Sequence, residues 1–130
     1  MAHAIVHAEL SVDKWGGEID DYLAIHEWLD EPKYWIGHSL HRMFRHHSEG
    51  IKEAEAVFGK LIINKDSKRI FVKYICEEHI KEDCDNYIPS AKEWLQHVQS
   101  GKKALWMRKT KQIQTKGNLL TNEQKENNLG

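Results

Sequence analysis

The chain has 130 residues, is 40% hydrophobic and 30% charged, and carries a formal net charge of −1. That length fits one domain with one modest core, and no uncharged apolar run approaches the ~20 residues that span a bilayer. His3, His7 and Glu9 interrupt the opening segment where an export signal needs a clean apolar stretch, so the expectation is a cytoplasmic protein.

The near-zero charge conceals an asymmetry. Residues 1–100 hold 12 Lys and Arg against 18 Asp and Glu, a net of −6. Residues 101–130 hold seven against two, a net of +5. An acidic body is a poor electrostatic partner for nucleic acid. The tail over 101–130 is basic and then polar. It is read as a flexible, disordered terminus with few apolar residues to bury, able to touch phosphates or an acidic partner.

In chain order, residues 3–14 carry a helical period with Val6 and Leu10 on one side. Two glycines in "WGG" at 15–17 break it. "EIDDYLAIHEWLD" resumes the period through Ile19, Tyr22, Leu23, Ile25 and Leu29. Pro32 suits the first turn of a new helix. Ile36, Leu40, Met43, Phe44, Ile51, Ala54 and Phe58 then keep one phase, which predicts a single long helix over about 33–58 that stops at Gly59. Gly50, inside it, marks a kink or a close packing contact. "KLIINKDSKRIFVKY" switches to strand character around a turn at "NKDS", a small hairpin near 60–74. "ICEEHIKEDCD" is a short helix. Ser90, with Glu93 three residues on, forms a capping box that opens a last helix carrying Trp94, Leu95 and Val98. Cys76 and Cys84 form no CxxC pair and read as reduced thiols. The fold class is mostly α (α+β): a four- to five-helix domain over 1–100 with one small β-hairpin.

Residues 23–51 contain five of the nine histidines. At 100° per residue, His47 falls in the middle of the apolar arc of the long helix. His38, His46, Arg42 and Arg45 fall opposite, with His41 between. His26 lies within the apolar arc of its own helix, with Asp30 one turn on. His79 and Asp83 repeat that i, i+4 pairing, and His7 shares the side of Val6 and Leu10. Inward His7, His26, His47 and His79, accompanied by Asp30 and Asp83, would meet at the centre of a small domain.

Burying such groups unpartnered costs about 1–3 kcal/mol each, against a total stability of about 5–15 kcal/mol. Three resolutions stand open: a hydrogen-bonded network, a divalent metal such as Zn, Mn or Fe held by His7, His26, Asp30, His47, His79 and Asp83, or a polar pocket with Trp28 or Trp35 nearby. Arg42 and Arg45 would clamp a phosphate or form a solvated, ion-paired face. Glu55 is a ligand, a general base or a surface residue. Glu78 points away from the buried arc.

The run "KWGG…DYLAIHEWLDEPK…HRMFRHHSEGI…AEAVFG…CEEHIKED…IPS…EWL" resembles a family of small uncharacterised bacterial and phage proteins over residues 3–98. The resemblance covers Trp15–Gly17, His26, Asp30, His41–Arg42, His46–His47, Glu78–His79 and Asp83. It implies a bacterial or phage origin and carries no activity with it. Inward His and Asp on helices are also similar in idea to HD-type metal phosphohydrolases, although His46–His47 stands where those have an adjacent His-Asp pair. The reading is therefore a His/Asp metal-binding domain. As an enzyme it would hydrolyse a phosphoester, with Arg45 or Arg42 steadying charge and Glu55 as a candidate base. The rival is a non-catalytic module that sequesters a nucleotide, a small phosphorylated ligand, or blocks a protein partner.

Overall fold

The computed structural model describes residues 3–37 and 39–107, and the expected tail beyond 107 and His38 lie outside the described residues. The domain is helical with one antiparallel hairpin. Helix α1 (Ala4–Trp15) ends at Gly16, whose φ of 82° suits a residue without a Cβ. Helix α2 (Ile19–Asp30) opens on a capping box between Glu18 and Asp21. Helix α3 (Ser48–Phe58) is followed by strands β1 (Leu61–Ile63) and β2 (Arg69–Phe71), paired Ile62 to Ile70. Helix α4 (Val72–Asp83) leads to helix α5 (Ala91–Ser100), which starts on the Ser90–Glu93 capping box. No helix among the described residues is long and apolar enough to cross a membrane.

Helix α2 packs along α1 and also touches α3 and α4. Tyr22, Ile25, Leu29, Ile51, Ala54, Ile75, Ile80 and Trp94 form the core between them. Cys76 and Cys84 are buried free thiols, each pushed up to about 12 by burial. Packing continues past residue 100: a 3-10 turn at Leu105–Met107 sets Trp106 edge-on against Trp94, ring centres 4.7 Å apart.

The single helix expected over 33–58 is not formed. In its place stand a 3-10 turn at Glu31–Tyr34, a second at Ser39–Phe44, and α3. Pro32 has no N–H for the Trp28 carbonyl, so α2 does not run on into this segment. At the other end His47 is fully extended, with φ −160° and ψ 169°. It acts as the N-cap of α3, its Nδ1 accepting from the Gly50 N–H at 2.9 Å. The corner is pinned from outside by Trp94 Nε1, which donates to the His46 carbonyl at 2.8 Å, and by Ser48 N, which donates to the Pro89 carbonyl at 2.9 Å.

Gly50 is the close contact that its position suggested. A Cβ there would lie 2.1 Å from the Arg45 carbonyl oxygen. That oxygen belongs to backbone and has no flexible end to give. Gly50→Ala is expected to destabilise the domain by about 1–3 kcal/mol, the usual cost of overpacking, or more. A melting temperature equal to the parent's would show that the corner can relax.

Candidate metal centre

The break at His47 decides which histidines turn inward. A 3-10 turn advances about 120° per residue instead of 100°, and the extended His47 resets the phase. His46 is therefore fully buried and Arg42 is 3% exposed, both on the side expected to face solvent, and His41, expected between the two sides, is fully buried as well. His47 is also buried, but its ring does not join the others. Nδ1 caps α3, and Nε2 donates to the Phe44 carbonyl at 3.1 Å.

Four side chains from three segments converge. Helix α2 supplies Asp30 and α4 supplies His79 and Asp83, a turn apart on one face. The segment before α3 supplies His46. Their ligating atoms all lie within 4.8 Å of one another, and all four residues are buried. Nitrogen and oxygen alternate around the group. His46 Nε2 is 2.9 Å from Asp83 Oδ2 and 3.4 Å from Asp30 Oδ1. His79 Nε2 is 3.1 Å from Asp30 Oδ1 and 3.3 Å from Asp83 Oδ2.

These spacings can be tested against an ion. A metal bonded to imidazole N and carboxylate O at roughly 2.1 Å separates neighbouring ligand atoms by roughly 3.0 Å at right angles and 3.4 Å in a tetrahedron. All four observed edges fall close to that interval. Two hydrogen bonds alone would need only two short contacts out of four. Asp30 Oδ2, which is buried, receives no hydrogen bond, and the nearest donor to Asp83 Oδ1 is His7 Nε2 at 3.4 Å. The donor set, two imidazoles and two carboxylates, suits Zn, Mn or Fe. The residues present fit a divalent ion.

A charged surround supports the four. Arg42 Nη1 donates to the Asp83 carbonyl at 2.8 Å, and its Nη2 lies 3.8 Å from Asp83 Oδ1. His7 reaches Glu82 through Nδ1 at 2.5 Å and Asp83 Oδ1 through Nε2 at 3.4 Å. Its ring stacks on His79, centres 3.8 Å apart. His41 Nε2 is 3.9 Å from Asp30 Oδ1. His26 stands one step back: Nδ1 is 2.8 Å from His79 Nδ1 and Nε2 is 2.8 Å from Ser11 Oγ.

Burial would raise both carboxyls. The imidazoles of His79, His41 and His46 outweigh it at Asp30, and His7, Arg42 and His46 outweigh it at Asp83, so both stay well below the usual carboxylate range. At His7 burial pulls the pKa down, but Asp83 and Glu82 win and raise it to about 10. His7 is thus an imidazolium at neutral pH. His26 is driven the other way, well below 6.5, by burial and by the neighbouring rings of His79 and His7.

These shifts give metal-free protein an optimum of stability near pH 6.5. His7, raised in the fold, contributes stability that is complete below its unfolded value of about 6.5 and is lost as pH rises through about 10. His26, lowered in the fold, contributes stability that is present above 6.5 and is lost as pH falls below it. A denaturation midpoint measured in chelator should decline on both sides. A midpoint that climbs steadily from pH 7 to 10 would contradict the assignment of His7.

Of the residues singled out from sequence, Asp30, His79 and Asp83 stand in the group of four, with His7 and His26 in contact with it. His46, which the continuous wheel had facing out, occupies the place expected of His47. Arg45 lies apart: it donates to the Trp28 carbonyl at 2.6 Å, pairs with Glu31 at 2.9 Å and stacks over the Trp28 ring at 4.1 Å. Glu55 pairs with Lys60 at 3.4 Å and is not one of the four. Glu78, on the outer side of α4, pairs with Lys14.

A small helical domain built around a buried His/Asp cluster is the class that fold and site define. The chain belongs to the family described as a domain of unknown function, DUF6915, which matches residues 2–107. No curated protein and no solved structure matches it.

Proposed function

We propose that this domain binds one divalent metal ion through Asp30, His46, His79 and Asp83. The observation that carries the reading is the alternating ring of two imidazole nitrogens and two carboxylate oxygens, with edges of 2.9–3.4 Å. Zn, Mn and Fe are the candidates. Two unpaired buried thiols agree with a reducing, cytoplasmic setting.

A cleft of about 270 Å³ between the start of α1 and the end of α2 has Asp30 in its wall, beside Lys33, His3 and Glu27. In a catalytic form of the reading a phosphoester would bind in this cleft on the Asp30 side, and the site would have to open to admit it, because Asp30 is 1% exposed and His46, His79 and Asp83 are fully buried. The ion would polarise the ester and lower the pKa of a bound water. Lys33 would attract the phosphate, and Arg42 would hold Asp83 in place. No step is assigned to Arg45 or Glu55, whose charges are already engaged.

A second reading, a binding module for a nucleotide or protein partner, is favoured by Tyr34 and Trp35. They stand 79% and 66% exposed, and Tyr34 borders the same cleft. Exposed aromatics of this kind stack on bases or anchor a partner.

The test is metal analysis of protein purified without a histidine tag. One ion per chain is expected, lost in His46→Gln and in His79→Gln. Protein that neither carries nor takes up stoichiometric metal would refute the metal reading. The metal-loaded protein should cleave an activated phosphodiester and Asp30→Asn should not. Metal without turnover would favour the binding module.

A further inference from the structure

His26 sits among the histidines without reaching the carboxylates, and its two ring nitrogens have different neighbours. Nε2 faces the hydroxyl of Ser11 at 2.8 Å. Nδ1 faces Nδ1 of His79 at 2.8 Å. All three side chains are at most 3% exposed, so no water competes for these contacts. A nitrogen-to-nitrogen contact of that length needs one proton between the two rings, and only one.

Two directions satisfy the chain. In one, Ser11 donates to His26 Nε2, His26 Nδ1–H donates to His79 Nδ1, and His79 Nε2–H points at Asp30. In the other, the Ser11 hydroxyl turns to the His7 carbonyl, 3.1 Å away, and accepts from His26 Nε2–H. His26 Nδ1 then accepts from His79 Nδ1–H, and His79 Nε2 is left bare. An ion among the four ligands selects the second direction, because a protonated Nε2 cannot bind it.

We infer that His26 is a positioning residue and not a ligand: anchored by Ser11, it accepts the Nδ1–H of His79 and so fixes His79 with a bare Nε2 aimed at the ion. The inference rests on the metal reading above. Among the four ligands His26 makes a hydrogen bond only to His79. It therefore acts through His79 alone.

The experiment uses the full chain and Zn²⁺ alone. Calorimetry gives stoichiometry and affinity. Nitrogen and carbon shifts of the histidine rings, in the same zinc-loaded sample, give the tautomers. The expected result is the Nε2–H form at His26 and the Nδ1–H form at His79. His26→Gln should keep zinc within a few-fold of the parent, because its amide oxygen can accept the same proton. His26→Leu, which offers no acceptor, should lose about 10–100-fold in affinity, and His79→Gln should lose the site. Zinc binding with the Nδ1–H form at His26 overturns the inference and leaves the metal reading standing. So does a His26→Gln variant as impaired as His79→Gln, which would make His26 a ligand. No zinc uptake by the parent overturns both.

Discussion

Asp83→Asn is expected to cost about 3–5 kcal/mol in metal-free protein, the range for removing one partner of a buried ion pair. Asp83 faces His46 at 2.9 Å, His79 at 3.3 Å, His7 at 3.4 Å and Arg42 at 3.8 Å. Two of those neighbours, the His7 imidazolium and the Arg42 guanidinium, are positively charged and buried. Asparagine keeps the volume and removes the charge that offsets them. Its amide nitrogen would also present hydrogens to groups that are themselves donors. Against a total of about 5–15 kcal/mol, the loss leaves the domain near its unfolding threshold. Glu82→Gln is the control, since Glu82 is part-exposed and touches His7 alone among the cluster. It should cost much less. Urea denaturation measures both. An Asp83→Asn variant within 1 kcal/mol of the parent would mean that the buried charges are not balanced as described.

The second large effect is metal-dependent stability, and it separates two adjacent histidines. An ion that binds only the folded state adds about 2.7 kcal/mol at a hundred times its dissociation constant. For a domain of this size that corresponds to a rise in melting temperature on the order of 10 °C. Chelator should lower the transition, and zinc, manganese or iron should restore it. His46→Gln should abolish the response, because His46 Nε2 is one of the four ligating atoms. His47→Ala should keep the response and lower the starting point by about 1–3 kcal/mol, because it removes the cap of α3 and the bond to the Phe44 carbonyl but no ligating atom. The reverse pattern, with His47 required and His46 dispensable, would contradict the site.

That contrast also marks where the sequence stops being legible. Helices α2 and α4 are regular, so an i, i+4 spacing placed His26 with Asp30 and His79 with Asp83 on inward faces. The hairpin turn and the Ser90–Glu93 capping box were readable because each depends on a few neighbouring residues. Residues 33–58 were not, because their apolar positions kept one helical phase across a break. Leu40 and Met43 pack on the core from a 3-10 turn, while Ile51 and Ala54 pack on it from α3. Both pieces satisfy the same pattern without being one helix. The local signals for the break were Pro32, Gly37, and the acid of "HSEG" in a helical first turn. A histidine serving as N-cap is rare enough to hide the start of α3. The error then carried into the site, turning His46 outward and His47 inward. The pairing of His7 with Glu82 links residues 75 apart, and no periodicity within one helix reveals it.

X-ray absorption at the zinc edge of the loaded protein tests the central claim most directly. The account predicts a first shell of nitrogen and oxygen at roughly 2.0–2.1 Å, with the outer scattering of two imidazoles. That outer scattering should fall to one imidazole in any His46→Gln protein that still retains zinc. A sulfur shell near 2.3 Å would instead place the ion on Cys76 or Cys84, and a shell without imidazole would place it on surface carboxylates. Either result would contradict a metal centre built from Asp30, His46, His79 and Asp83.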